Sequence, residues 1–299
     1  MRHRLTATLV LTFLLAVVSG AGAETLSPQA PGSQAAPATQ QVIHHVALRD
    51  GSQLYGVMVS EDATSITLRT IAGATVMAVR DQIVAITRVQ GTVVGDEFWL
   101  QDGVGSRLFL GPTGRVLRRG DSYVAIDSFF LPMFQVGVTD RFSFGVGKPF
   151  YVWTKAMWVT PKFQLYRSAN TAASVGLLHT FGTIGEIGGA AYGVVTRGST
   201  DNSVTAGVGW IYEDGTDDGS RRQGTPFVLI GGERRVGRRT KVVTESYLFS
   251  GGAIVSVGGR LITRTFSFEA GVIAPVGSDG AYPGPFINFI WHRSRRPGS

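Results

Sequence analysis

The sequence predicts an all-β fold in which an antiparallel up-and-down membrane β-barrel of about 12 strands follows a smaller β-barrel. The first observation is alternation: in SVTAGVGWIYE, residues 203–213, apolar or aromatic side chains occupy every second position. This period of two is typical of a strand with one apolar face. The second observation is a composition of 40 glycines and 10% aromatic residues with only 16% charged residues. Such a mixture favours a barrel with bulky residues on one face and small residues on the other.

Residues 1–23 are predicted to be a secretory signal peptide. They begin with the basic MRHR, continue with an apolar run over residues 9–18 and end in Ala-Gly-Ala, a signal-peptidase pattern. The alternative, an uncleaved membrane anchor, is disfavoured because the apolar run is short. The chain has no cysteine, which excludes disulfides and thiolate chemistry. The mature chain has no apolar run long enough for a transmembrane helix, so any membrane insertion would use strands.

Two segments precede the larger barrel. Residues 24–41 are predicted to be a disordered linker, because they are rich in Pro, Ala, Ser and Gln and poor in bulky apolar residues. Residues 42–90 predict five short strands, with turns at Asp50-Gly51, Glu61-Asp62 and Ala72-Gly73. The LRDGSQLYG stretch resembles the Sm-like or SH3-like barrels found in bacterial envelope proteins. That resemblance implies an interaction or spacer module without chemistry.

The remainder of the chain is divided into a connector (91–121), the larger barrel (122–292) and a basic tail (293–299). Segments of period two, separated by turn residues, predict the twelve strands of the larger barrel at residues 123–130, 133–138, 142–147, 159–167, 173–181, 187–196, 203–213, 227–234, 240–249, 253–261, 263–274 and 286–291. An even number in this range is typical of bacterial outer-membrane barrels. Tight turns and longer polar loops both occur, as periplasmic turns and external loops would.

The alternation also predicts which face contacts lipid. In WVTPKFQLYR and RTFSFEAGVIAP, the face opposite the apolar one carries mainly small and hydroxyl residues, whereas a soluble sheet presents many charged residues to water. Small residues suit the lumen of a narrow barrel, so the apolar face is predicted to point outward. The predicted lipid-facing or girdle aromatics are Phe163, Trp210, Tyr212, Phe266, Phe268, Phe289 and Trp291, with Trp153, Trp158 and Tyr166 as further girdle residues.

Ionisable residues within the predicted strands form a candidate lumen charge network. An isolated charge is costly in lipid, so these side chains are expected to point inward. There they would plug a small barrel or line a narrow pore, and simple structural pairing is the favoured role. The network consists of Lys162, Glu233, Lys241, Glu245, Arg264 and Glu269.

Catalytic, cofactor and metal sites are not predicted. The barrel region contains two histidines, His179 and His292, and neither has the Ser or carboxylate partner that hydrolase chemistry needs. His44 and His45 are adjacent on a predicted strand and therefore point to opposite faces, which disfavours a metal site. The aspartates in the loop at 213–225 lack the spacing and terminal Glu of an EF-hand.

Three further stretches carry a resemblance to a known group. RLFLGPTGRVLRRGDSYVAIDSFFLPMFQVGVTDRFSFGVG, VTPKFQ and KVVTESYLF resemble a group of uncharacterised bacterial envelope proteins with an RLxFxPTxRxLxxGxxY opening and GxTDxxSxGxG, TPK and TENxxF-like segments. Ser246 stands where the group often has Asn. The resemblance covers most of residues 106–250. It implies an outer-membrane-type β-barrel and no particular activity.

Two function classes remain open. The first is a non-enzymatic outer-membrane β-barrel, structural or narrow and pore-like, with residues 42–90 as a periplasmic module that contacts an envelope protein. The alternative is a soluble periplasmic β-barrel that binds a hydrophobic ligand in its interior.

The formal net charge of +7 falls to +5 once Arg2 and Arg4 are cleaved, and arginine clusters in turns favour outer-membrane lipid over nucleic acid as a partner. The tail HRSRRPGS replaces the terminal aromatic residue that outer-membrane barrels commonly carry.

Overall fold

The computed structural model describes residues 43–89, 91–94, 97–150, 156–182, 187–214, 224–278 and 280–294. The predicted signal peptide and linker lie outside these residues, as do most of the basic tail, Trp153 and the aspartates at 217 and 218. Among the described residues, the only helix is one 3₁₀ turn, Arg80–Gln82. No helix in this part of the chain is long and apolar enough to cross a membrane.

The N-terminal unit is a five-stranded antiparallel sheet. Its strands are β1 (Ile43–Leu48), β2 (Gln53–Glu61), β3 (Ser65–Thr70), β4 (Thr75–Val79) and β5 (Ile83–Val89), in the order β4-β3-β2-β1-β5. One face packs a core of Val46, Ile66, Leu68 and Ala78. Gly51 and Gly73 adopt φ of 86° and 88° in two of the predicted turns, where a side chain would be strained. Among the described residues β4 and β5 do not pair with each other, so the SH3/Sm-like closure stays a prediction.

The predicted connector contains a second, smaller sheet. Strands β6 (Gly91–Val94) and β7 (Glu97–Leu100) form an antiparallel hairpin. The chain then enters the lumen of the larger barrel over residues 101–119, which we call the plug. Leu108 and Phe109 of the plug pack with inward-facing strand residues, among them Leu229 and Phe286. The lumen is therefore filled by a segment of the same chain.

Twelve strands form the larger barrel. They are β8 (Ser122–Asp127), β9 (Leu131–Gly137), β10 (Phe142–Gly147), β11 with β12 (Met157–Val159 and Lys162–Arg167), β13 (Thr171–Phe181), β14 (Ile187–Gly198), β15 (Asn202–Asp214), β16 (Thr225–Arg235), β17 (Thr240–Phe249), β18 (Gly252–Ile262), β19 (Phe266–Gly277) and β21 (Gly284–Arg293). A short strand, β20 (Gly280–Ala281), pairs with the end of β19. β11 and β12 count as one strand, because both pair with β10 and β13 and only Thr160-Pro161 separates them. Proline lacks the N–H that a continuous ladder needs.

All neighbouring strands are antiparallel, and the barrel closes where β8 pairs with β21. The closed twelve-strand barrel, with a five-stranded sheet before it, confirms the predicted fold class. β8 begins and β21 finishes at the same end of the barrel, which also holds the short turns at 138–141, 168–170, 199–201, 236–239 and 263–265. We call this the turn end. At the opposite end, which we call the loop end, β10 finishes and β11 begins, and β15 finishes and β16 begins; the sequence between these strands is longer, at residues 148–156 and 215–224.

The two faces of the barrel wall differ in polarity. On β15, Val208 is 64% exposed on the outside whereas Thr205 is 0% exposed on the inside. On β19, Ser267 and Glu269 are buried inside while Val272 is exposed outside. The apolar face of the alternating pattern thus points outward, and hydroxyl and charged groups face the lumen.

Candidate functional site

The tip of the plug is held by a carboxylate from the barrel wall. Glu245 alternates with Val243 and Tyr247 on the inner face of β17. Its two carboxylate oxygens accept hydrogen bonds from three successive backbone N–H groups, those of residues 109–111, at 2.8, 3.0 and 2.9 Å. Gly111 is required beside this carboxylate, since a Cβ there would lie 3.2 Å from its Oε1 and 2.5 Å from the Tyr247 hydroxyl.

Both arms of the plug are held from the opposite wall, by β12 and β14. The Lys162 ammonium donates hydrogen bonds to the backbone carbonyls of Ser106 and Arg115, at 2.9 and 2.5 Å. Around Gly114, the Gln164 side chain donates to the carbonyl at 2.9 Å and the Thr196 hydroxyl accepts from the N–H at 2.7 Å. These buried backbone groups would otherwise lack the partners that buried peptide groups require.

A buried ionic cluster joins the plug to β16, β17, β18 and β19. Arg260 Nη1 lies 2.7 Å from Asp102 and 3.0 Å from Glu233, and its Nε lies 2.6 Å from Glu269. Lys241 contacts Asp102 at 2.5 Å and Glu233 at 3.2 Å. All five side chains are fully shielded from solvent. Because unpaired charges in such an environment are costly, the close pairing is a condition of the fold.

Further contacts satisfy the edges of this cluster. Asn288 donates to Glu269 at 2.8 Å, and Arg260 Nη2 donates to the Leu108 carbonyl of the plug at 2.5 Å. A second buried pair, Arg107 with Asp127 at 2.6 Å, joins the plug to β8. Arg107 also donates to the Phe109 carbonyl within the plug. The plug is thus bonded to the wall on several sides.

Five of the six residues proposed for the lumen network are buried inside the barrel: Lys162, Glu233, Lys241, Glu245 and Glu269. Arg264 is not among them. It is exposed in the turn between β18 and β19, and its Nη1 lies 2.8 Å from His45 Nδ1 in the N-terminal sheet. The prediction that Arg264 faces the lumen is wrong, because the alternation of the sequence continues through this turn although the strand itself starts at Phe266.

Sequence reasoning missed the centre of the cluster. Arg260 lies on β18, whose alternation is obscured by Gly258 and Gly259, and Asp102 and Arg107 lie on the non-periodic plug. One signal was available for Arg260. It faces Glu269 directly across the β18–β19 pairing, and opposite charges at such positions stabilise a sheet.

The predicted aromatics divide between the two faces. Phe163, Trp210 and Trp291 are exposed on the outer surface, and Phe266, Phe268 and Phe289 pack with Trp291 in a cluster across β19 and β21. Tyr166 is exposed outside near the turn end. Tyr212 covers the outer side of Gly189 and bonds His179 Nδ1 at 2.8 Å. The prediction that Trp158 is a girdle residue is wrong, because its ring stands over the inward-facing Gly147.

Two of the described histidines, His179 and His45, contact residues of the barrel. His179 contacts Tyr212 and Phe181 on the outer face near the loop end. His45 lies against Arg264, and burial together with this guanidinium lowers the pKa of His45, so that neutral imidazole is its ordinary form. Within the described residues, no group of three or more His, Cys, Asp or Glu side chains could hold a metal ion.

The solved structures that resemble this chain include two distant ones. The KdgM porin shares 8% sequence identity at a TM-score of 0.42, with 59% of this chain and 98% of that chain covered. A loop L8 deletion mutant of OmpT, an outer membrane protein of Vibrio cholerae, shares 13% identity at a TM-score of 0.35, with 85% and 97% covered. No protein-family model matches the sequence, and no curated protein matches it. At these TM-scores neither likeness supports an argument about function, which depends on the geometry alone.

Proposed function

We propose that this protein is a non-enzymatic outer-membrane β-barrel with a structural role, closed to solute flow by its own plug. The single observation that carries the proposal is the filled lumen. In the turn half of the lumen Arg260, Lys241 and Glu269 are each 0% exposed, which supports a lumen that the plug and the ionic cluster close to water. The lumen of a conducting outer-membrane barrel would instead show hydrated charged side chains along its wall.

The outer surface supports the membrane location. The exposed residues of the wall are mainly apolar, for example Val204 and Val208. They lie between two aromatic groups: the cluster of β19 and β21 near the turn end, and Trp210 near the loop end. From Val204 to Trp210 the strand extends about 20 Å at 3.3 Å per residue, which at a tilt of about 40° is about 15 Å of height and fits within the apolar band of about 25 Å in outer-membrane barrels. A soluble protein rarely exposes an apolar surface that encircles it.

The same observations disfavour the soluble alternative. A barrel that holds a hydrophobic ligand needs an apolar interior and a hydrated exterior. Here the turn half of the lumen contains the ionic cluster and the plug, and the exterior is apolar. The turn end would face the periplasm, because short turns are typical of that side. The N-terminal sheet then lies in the periplasm, where it can contact an envelope protein.

The experiment that tests closure is conductance across a planar lipid bilayer. The purified full chain should insert and give no steady current. A variant with residues 106–113 replaced by eight Gly and Ser residues removes the tip of the plug, and it should conduct. The matched control makes the same replacement at residues 31–38 in the predicted linker, and it should remain closed.

A steady current through the unmodified protein would contradict the proposal and favour the pore-like role. Should the plug variant fail to insert, a variant with Lys162→Met and Glu245→Gln removes two of the attachments while retaining the segment. It should give flickering openings. Two further measurements test membrane insertion. A membrane barrel should need detergent for extraction, and its migration in gels should change on heating.

A further inference from the structure

A large cavity lies at the turn end, between the plug, the barrel turns and β5 of the N-terminal sheet. Its volume is about 1320 Å³, which exceeds the usual range of small-ligand sites. The lining residues come from β5, from the hairpin and plug, from the turns at 168–169 and 199–200, and from the C-terminal end of β21. The cavity is therefore assembled by several parts of the chain that meet at this end.

The lining is strongly basic. Seven arginines contribute to it against two aspartates, Asp102 and Asp121. The charge of Asp102 is already matched by Lys241 and Arg260 in the ionic cluster. The excess positive charge is carried by side chains from separate elements, among them Arg118 of the plug, Arg167 of β12 and Arg293 of β21. Guanidinium groups that surround a cavity concentrate anions within it.

A second, independent feature is the His292 side chain. It points inward from β21, lines the cavity and is only 7% exposed. Its ring is fixed against Gly103 of the plug, since a Cβ there would lie 2.3 Å from Nδ1. Its Nε2 has no hydrogen-bond partner among the described residues. A buried polar atom without a partner is costly, and this cost is borne at the wall of the cavity.

We propose that this cavity binds a multivalent oxyanion, a ligand with two or more phosphate or carboxylate groups. Arginine is suited to this chemistry, because its planar fork donates two parallel hydrogen bonds to either group. The ligand is either a soluble polyanion or the head group of an anionic lipid. The proposal goes beyond the closed barrel and holds whether or not the lumen conducts.

Isothermal titration of the purified full chain in a non-ionic detergent tests the proposal, with tripolyphosphate and citrate as probes. The variant Arg167→Gln with Arg293→Gln removes two lining arginines from exposed positions, so folding should be unaffected. Its dissociation constant should rise about tenfold or more, as expected when two charged contacts are lost. The control, Arg234→Gln with Arg239→Gln, removes the same charge at the turn end from residues that do not line the cavity.

The control should change affinity less than about twofold, since only long-range attraction is lost. If both double variants bound the probes equally weakly, the loss of affinity would be explained by the general charge of the turn end, and the proposal would be wrong. The absence of any heat of binding to tripolyphosphate or citrate would also contradict it. Vesicles with and without an anionic lipid distinguish the two sources. If the lipid head group is the ligand, the protein in anionic vesicles should no longer bind tripolyphosphate, whereas in zwitterionic vesicles it should.

Discussion

Glu245 shows how one buried side chain determines the position of a whole segment. Its carboxylate accepts hydrogen bonds from the N–H groups of three successive plug residues. Consecutive N–H groups that converge on one anion form a concave anion-binding arrangement of the backbone. The plug tip is thereby held in one conformation by a single residue of the wall.

The variant Glu245→Gln tests this role. The amide is uncharged, and its NH₂ group cannot accept a hydrogen bond from the backbone. Because hydrogen bonds to charged groups contribute about 1.5–3 kcal/mol, we expect the free energy of unfolding to fall by about that amount. Denaturant titration of vesicle-inserted protein, followed by tryptophan fluorescence, measures the change.

A matched control for this variant is Glu97→Gln, which makes the same chemical change at an exposed position of the β6–β7 hairpin. It should leave the unfolding transition unchanged, since exposed surface substitutions have small effects. If both variants behaved alike, the carboxylate of Glu245 would have no special part in holding the plug.

At the scale of the element, β15 carries the argument for lipid contact. Val208 lies near the middle of the strand and Val204 close to the turn end, both exposed on the outer face. In a bilayer these two positions differ in depth. In water they would be equivalent, because both side chains are solvated.

We therefore expect Val208→Arg to destabilise the inserted barrel by about 2–4 kcal/mol, and Val204→Arg by about 0–1 kcal/mol, as found for mid-plane and interfacial arginines in membrane barrels. Reversible folding into lipid vesicles measures both. Equal, small effects of the two substitutions would contradict a membrane-embedded outer face.

The strands could be predicted from the sequence because alternation is a local property. Each of the twelve predicted segments overlaps an observed barrel strand, and Phe142–Gly147 and Thr240–Phe249 have the predicted bounds. The plug could not be predicted this way. Residues 101–119 have no period, and their conformation depends on contacts with distant residues such as Lys162 and Glu245.

The residues of the candidate site also differ in whether the alternation of the sequence could predict their location. Lys162, Glu233 and Glu269 lie at inward positions of clear strands, so their location followed from the alternation. Asp102 did not, because it reaches the cluster only through the plug.

At the scale of the molecule, the two ends of the barrel have different chemistry. The turn end gathers the N-terminal sheet, the entry of the plug, the C-terminal residues and the arginine-lined cavity. The loop end carries the longer connections between strands. In an outer-membrane barrel this asymmetry predicts a single orientation, with the turn end toward the periplasm.

Epitope tags placed at the two ends test the orientation in intact cells. A tag inserted at residue 219, in the polar segment between β15 and β16, should bind antibody on intact cells, because long loops face outward. A tag after residue 299 should bind only after the outer membrane is permeabilised, since β21 finishes at the turn end. Reversed accessibility would place the N-terminal sheet outside the cell and remove its proposed periplasmic partner. Release of both tagged proteins by osmotic shock would contradict membrane insertion itself.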